Sequence, residues 1–255
     1  MDKSGKNPLT ETFLNYFTVH LADTPQLREH AYRIRYRVYC DEFGYEDPTR
    51  FPDRMERDEY DEQSLHCVVI HRSGIPAGCV RIVPAEGEAD DAPLPFEKHC
   101  GEAVDRQLIR KLVPDRSRLC EISRLAVDGA FRRRAGEAKT RFGEVEAMEL
   151  GAEEIRTFPL IAVATFLGAT AMTELSGRTD AIAMMEPFLP RLLKRSGFIF
   201  QRVGRDVEYH GKRAPYFNCT EAALKSMRPE LRSLYDAIHA QVAAHFQVPL
   251  RWNTG

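Results

Sequence analysis

Arginines and carboxylates set inside otherwise apolar runs are the residues of this chain whose types and spacing could do chemistry. Arg81 lies between Val80 and Ile82 in GCVRIVP, and Glu121 and Arg124 interrupt the apolar run CEISRLAVD. Charges inside buried strands are costly unless they are paired. Side chains alternate along a strand, so Glu121 and Ser123 are expected on one face and Arg124 on the other. Upstream, Asp58 and Asp61 sit in RDEYDEQS just before a strand. Arg35, Tyr39 and Tyr45 bring a guanidinium and two aromatic rings to the end of a helix in RYRVYCDEFGYE. Two readings stand side by side. One is a structural arginine–carboxylate network with a solvated acidic loop and a packed aromatic face. The other is a cleft whose carboxylates are tuned for acid–base work.

The totals narrow the class. With 43% hydrophobic and 29% charged residues, the 255-residue chain has a globular balance that can bury a sizeable core. A net charge of −2 provides no global field for nucleic acid. MDKSGKNPLTETF has no apolar run behind its charges, which argues against a signal peptide, and the apolar stretch from Phe158 to Met172 is too short to span a bilayer. Cys40, Cys67, Cys79, Cys100, Cys120 and Cys219 form no C-x-x-C pair, and the histidines have no ligand spacing. Reduced thiols, a cytoplasmic location and no metal are therefore expected.

The elements that must position the charged residues come in a definite order. FTVHLAD is a first strand, and Asp23 or Thr24 caps a helix whose first turn holds Pro25. Leu27, Ala31, Ile34 and Val38 recur at helical spacing, with Gly44 as the stop. Residues 46–63 read as a loop, and LHCVVIH and AGCVRIVP as a hairpin around RSGIP. Residues 85–117 are irregular, with one helix over 102–112, before the strand RLCEISRLAVD. A basic, polar insertion covers about 131–156. Then come a buried helix from Pro159 to Leu175, the short strand DAIAMM, a helix stopping at Gly197, and the strands in FIFQRVG and VEYHGKRAPYFNC. Leu231, Leu234, Tyr235, Ile238, Val242 and Phe246 form the stripe of an amphipathic helix after Pro229. This order predicts an α/β (α+β) fold, an antiparallel-rich sheet with helices on its faces. One domain is expected over 1–255, with its core at about 15–220 and a C-terminal helical extension at about 221–248. No G-x-G-x-x-G or P-loop sequence is present.

Taken together, R-x-x-x-[aromatic] with a further aromatic, D-x-x-D, G-C-V-R-I-x-P and E-I-S-R-L-A-V resemble the acyl-homoserine lactone (autoinducer) synthases. There the stretches read like R-x-x-V-F…W, E-D-x-x-D, G-x-x-R-L-x-P and E-x-S-R-F-A-V. The likeness runs from Leu27 to Asp128 and extends to the N-acyl amino acid synthases and to acyltransferases associated with exosortase and PEP-CTERM sorting systems. The last group looks closest, through the FRRR stretch, the insertion and the extra C-terminal helix. The resemblance implies the Gcn5-related acyltransferase fold, with a mostly antiparallel, splayed central sheet flanked by helices. Arg35, Asp58, Asp61, Arg81, Glu121 and Arg124 then correspond to the family's charged cluster, Tyr39 and Tyr45 to its phenylalanine and tryptophan, and Phe96 to a later phenylalanine. Arg57 departs from the family, standing where many autoinducer synthases have a glutamate, and this weakens the case for S-adenosylmethionine as acceptor.

The resemblance also implies a reaction. An acyl-carrier-protein or acyl-CoA thioester is the co-substrate, with no permanently bound cofactor, and a medium or long acyl group passes to the amine of an amino acid or related small molecule. Leu125 and Ala126 are the expected backbone donors to the acyl carbonyl. Glu121 is the first choice to take the amine proton, with Asp58 or Asp61 the second. Ser123 lines the acceptor side. Arg133, Gly136 and Ala138 fit the superfamily's phosphate spacing. Arg132, Arg133, Arg134, Lys139 and Arg141 form either a solvated segment or a landing site for an acidic carrier protein. Phe166 is placed against the acyl tail, and Gly168, with Ala164 and Ala171, leaves room for it in a helix apolar nearly all round. LLKRSGF lacks the tyrosine that often protonates the leaving thiolate, so Ser196, water or no acid serves. The alternatives are an acyl-homoserine lactone synthase using S-adenosylmethionine, an acetyl-CoA-dependent N-acetyltransferase, and a non-catalytic acyl- or carrier-binding regulator.

Overall fold

A computed structural model of the chain describes residues 7–132 except 88 and 90, residue 157, and residues 159–247 except 196. The alternating runs become strands: β1 (Phe17–Leu21), β2 (Leu65–His71), β3 (Pro76–Pro84), β4 (Leu119–Val127), β5 (Asp180–Met185), β6 (Gln201–Arg202), β7 (Val207–Glu208) and β8 (Lys212–Cys219). They form one sheet in the order β1-β2-β3-β4-β5-β8-β6, with β7 also paired to β8. Every pairing is antiparallel except β4 with β5.

Two irregularities interrupt the pairing of β4. The β3–β4 register places Arg81 opposite Ser123 but Cys79 opposite Ala126, so Arg124 and Leu125 together oppose Val80. This is a β-bulge, and Arg124 sits there at φ 53°, a conformation that favours glycine. The parallel β4–β5 ladder is short. It pairs Leu119, Cys120 and Glu121 with Asp180, Ala181 and Ile182, and then stops, although β4 continues to Val127 and β5 to Met185. Beyond Glu121 the two strands part, which is the splay expected of the sheet.

The helices are α1 (Pro8–Tyr16), α2 (Pro25–Tyr36), α3 (Pro95–Cys100), α4 (Arg106–Leu112), α5 (Gly129–Arg132), α6 (Pro159–Leu175), α7 (Leu189–Arg195), α8 (Thr220–Ser226) and α9 (Pro229–Ala243). Thr24 caps α2 through a 3.3 Å bond from the Leu27 amide. The helix continues as a π-helical turn over Arg37–Glu42 before Gly44 stops it at φ 61°. Such turns re-aim side chains and recur at functional sites. Three features were not anticipated: α1, α3 and the wide turn itself.

On one face α2 covers β2, β3 and β4. On the other, α6 packs on β2, β3 and β4, with α9 behind it. Small residues let α6 sit close. A Cβ on Gly78 would lie 2.9 Å from Thr165 Cγ2, and a Cβ on Gly168 would lie 2.8 Å from Cys67 Sγ. Gly168 therefore faces β2, and the space beside it is filled by Cys67 and Val19 rather than left for an acyl tail. Ala164 and Ala171 share that helical face and are fully buried. At the sheet edge, Gln241 of α9 accepts the Val19 amide at 2.9 Å. All six cysteines are free thiols. Among the described residues no helix is long and apolar enough to cross a membrane.

Candidate active site

Sheet register assembles the site. His66, Arg81 and Ser123 form a row across β2, β3 and β4 on the face covered by α2, and Arg81 Nε donates to Ser123 Oγ at 3.2 Å. Arg81 is 0% exposed. Its Nη1 reaches Asp58 at 2.5 Å and Asp61 at 2.7 Å, while its buried Nη2 has no hydrogen-bond partner among the described residues. Arg35 comes down from α2, donates to both oxygens of Asp61 at 2.7 and 3.0 Å, and pairs through Nε with Glu56.

Arg124 joins the same cluster. Its Nε and Nη2 donate to Glu56 Oε1 at 3.2 and 3.1 Å, and Nη2 also donates to Asp58 Oδ2 at 3.1 Å. Simple alternation predicts the opposite face. The bulge breaks the alternation and turns Arg124 onto the side of Glu121 and Ser123. Tyr39 closes this corner: its hydroxyl donates to Leu125 O at 3.0 Å, and its ring lies under Arg124 and 6.3 Å from that of Tyr45.

The charges separate into two kinds. Burial would raise Glu56, Asp58 and Asp61, but neighbouring guanidiniums hold all three below the ordinary carboxylate range: Arg35 and Arg124 for Glu56, Arg81 and Arg124 for Asp58, and Arg35 and Arg81 for Asp61. Glu121 behaves differently. Burial pushes it up to about 7, against a 2.7 Å bond from the Phe96 amide and the charges of Arg81 and Arg124. His66 is driven down to about 3 by burial and by Arg35 and Arg81, so it stays neutral beside Asp61. Three arginines and three ionised carboxylates thus balance, leaving Glu121 as the carboxyl able to exchange a proton near neutrality.

Glu56 was not anticipated, yet it is 1% exposed and pairs with two arginines. A charge count could have found it, since Arg35, Arg81 and Arg124 need three ionised partners and Asp58 and Asp61 supply only two. Tyr209 and His210 were missed too. They enter from the β7–β8 turn, with Tyr209 stacked on His99 at 5.9 Å and His210 beside Tyr45 at 5.2 Å. Burial raises the Tyr209 phenol, which also feels Arg124 and Glu121.

Residues 34–140 match the family model of the acetyltransferase (GNAT) domain. Over that stretch the chain is similar to GNAT acetyltransferase domains. No curated protein sequence matches it. Among solved structures, TofI in a ternary complex with an inhibitor and MTA is 20% identical, with a TM-score of 0.53, covering 84% of this chain and 98% of that one. MesI, a CoA-dependent acyl-homoserine lactone synthase, is 19% identical with a TM-score of 0.54, covering 88% and 94%. FeeM, an N-acyl amino acid synthase from uncultured soil microbes, is 13% identical with a TM-score of 0.53, covering 84% and 96%. This chain shares its fold with these proteins.

Within the matched stretch, the structure brings Arg35, Tyr39, Asp58, Asp61, Arg81, Phe96, Glu121, Ser123 and Arg124 together, with Tyr45 at the rim. Leu125 and Ala126 come directly after the bulged Arg124. Two expected residues stand elsewhere. Phe166 lies on α6, behind the sheet, packed edge-on against Phe198 at 4.8 Å and Phe200 at 5.7 Å, and Gly168 faces β2. Arg132 donates to Val127 O at 2.7 Å and pairs with Glu42. Arg133, Arg134, Gly136, Ala138, Lys139, Arg141 and Ser196 lie outside the described residues. A cavity of about 70 Å³ lies at the start of β4, between Leu119, Ile109, Val113 and Glu97. It holds only a few water-sized molecules and does not extend beneath α6.

Proposed function

We propose that the chain is an N-acyltransferase that moves a medium or long acyl group from a carrier-protein or CoA thioester to the amine of an amino acid or related small molecule. The observation that carries this reading is Glu121, with its proton affinity near 7, at the last paired position of β4 and β5. A pantetheine thioester lying in the splay would bring its carbonyl next to the bulge, and Leu125 and Ala126 are the residues to which we assign the backbone N–H groups that meet the developing oxyanion. The amine nitrogen attacks the carbonyl carbon, its proton passes to Glu121 directly or through water, and the C–S bond breaks. The leaving thiolate is protonated in turn, and Tyr209 is the hydroxyl we assign to this step. Arg35, Arg81, Arg124, Glu56, Asp58 and Asp61 hold Glu121 and the bulge in place.

A tail path on the α6 side of the splay would have to part the packed rings of Phe166, Phe198 and Phe200. The fold shared with MesI, an acyl-homoserine lactone synthase, and FeeM, an N-acyl amino acid synthase, is the likeness on which the longer donor rests. A second reading, acetyl transfer, is favoured by the filled stripe at Ala164, Gly168 and Ala171, where a tail was expected. Carrier landing at Arg132, Arg133, Arg134, Lys139 and Arg141, a location in the cytoplasm, and kinship with exosortase-associated acyltransferases belong to the same proposal. Thiol release decides between donors. With pooled amino acids, a long-chain acyl-CoA or acyl-carrier protein should release thiol faster than acetyl-CoA; the reverse order makes the chain a small-acyl transferase. No release with any donor would overturn acyl transfer.

A further inference from the structure

The β7–β8 turn brings one more cation to the site. Tyr209 donates its amide to Gly211 O at 2.9 Å, and His210 and Gly211 take φ 51° and 88°, which folds the tip back on itself. The tip rests on Tyr45 and on Glu46, whose Oε1 stands 3.6 Å from His210 Nε2 and 3.8 Å from Arg124 Nη2. Arg213, the second residue of β8, lies against this corner. Its guanidinium carbon is 5.9 Å from the centre of the Tyr45 ring, and its Nε donates to His210 O at 3.3 Å.

That bond fixes the plane of the guanidinium and leaves both Nη groups unused among the described residues. Arg35, Arg81 and Arg124 each meet at least two carboxylates. Among the described residues Arg213 meets none. Arg213 is also half-buried, so a ligand can reach it. Its charge is felt by Tyr39, by His210 and by Cys100, and Cys100 feels Glu121 as well, so Arg213 and the proposed base both lie in the neighbourhood of Cys100.

An arginine with a fixed plane and two free Nη groups over an aromatic ring is suited to a planar anion, because a carboxylate accepts two parallel N–H bonds from the fork. We propose that Arg213 receives the carboxylate of the acyl acceptor, so that the accepted amine is one that also bears a carboxylate. Tyr45 forms the floor of this subsite, and the acceptor's nitrogen points away from Arg213 towards Glu121. The inference rests on the N-acyl transfer proposed above and adds its selectivity.

The test uses the full chain, a saturating acyl-CoA and paired acceptors that differ only by the carboxylate: leucine with isopentylamine, and phenylalanine with phenethylamine. Wild type should favour each amino acid over its partner. Arg213→Gln should lose about tenfold to a hundredfold in kcat/KM for the amino acids, the scale of a lost charge-assisted hydrogen-bond pair. The loss should fall on the acceptor KM, with the donor KM and the amine rates unchanged, and Arg213→Lys should recover part of it. Equal use of both acceptors by wild type, or equal losses on both in the variant, overturns the subsite. If no acceptor releases thiol from acyl-CoA or from acyl-carrier protein, acyl transfer itself fails. Equilibrium dialysis of leucine and isopentylamine against wild type and Arg213→Gln then decides the carboxylate site alone: selective leucine binding lost in the variant supports it, and no selective binding overturns it.

Discussion

The Phe96 amide donates a 2.7 Å hydrogen bond to Oε2 of Glu121. A hydrogen bond to the ionised form favours ionisation, yet burial still keeps the carboxyl half-protonated near neutral pH. Turnover should therefore rise with pH along a limb centred near 7. Glu121→Gln should fold, lose about a hundredfold or more in turnover, the scale of lost acid–base help, and lose that limb. Wild-type turnover in the variant would remove Glu121 from the chemistry.

The same residue makes a claim about stability, with a definite sign. A carboxyl whose proton is held more tightly in the folded state stabilises the fold at low pH, and the benefit is lost as pH rises. For Glu121 that window runs from the ordinary 4.5 up to about 7. Chemical denaturation at intervals between pH 4 and 8 should show Glu121→Gln gaining on wild type across it. A difference that does not change with pH would contradict the shift.

Glu56 tests the network. Removing one partner of a buried ion pair strands the other, at a cost of about 3–5 kcal/mol. Glu56→Ala should therefore lower the denaturation midpoint strongly, because Arg35 is 1% exposed and keeps only Asp61. A second change, Arg35→Met, should restore part of the loss. Additive losses in the double variant would show that the two do not act as a pair.

Deleting Leu125 tests the bulge. With one residue fewer, β4 can pair regularly with β3 while Ala126 stays opposite Cys79. Arg124 would then obey the alternation and turn to the other face. Because Arg124 would leave Glu56 and Asp58, the variant should melt well below wild type, and at a temperature where it stays folded it should not release thiol; full activity would free the bulge from any role in the reaction.

Gly168 is predicted to affect stability and not chain length. A methyl group there meets Cys67 Sγ, an overpacking usually worth about 1–3 kcal/mol. Gly168→Ala should lower the melting temperature without changing the preferred acyl donor, and Cys67→Ala should relieve it. A shortened acyl preference would return the tail to this side of α6.

How much was legible in the sequence depends on where information was local. The alternation of FTVHLAD, the Thr24–Pro25 start of α2 and the apolar run of α6 are local signals, and each became the element it suggested. Arg81 and Glu121 stood out because a charge in an apolar strand must be satisfied. Arg124 was found as a charge but assigned to the wrong face, since a bulge depends on the partner strand's register. Glu56 lay in a proline-containing loop with no period, and only the approach of Arg35 from α2 gives it a role. Gly168 was read as spare volume, whereas a small residue on a buried helix equally marks close packing. Separating these needs the neighbouring strand, which sequence position alone does not provide.

The bond that the Val19 amide donates to Gln241 also guards the rim of the sheet. β1 is the first strand of that sheet, and an edge strand with free amides is a template onto which another chain can add. Gln241 occupies one such amide, and α9, packed along β1, shields the edge. Gln241→Leu would leave the Val19 amide unoccupied and ready for an incoming backbone. Losing the grip of α9 on β1 would open that edge, and the expected first sign in Gln241→Leu is concentration-dependent self-association.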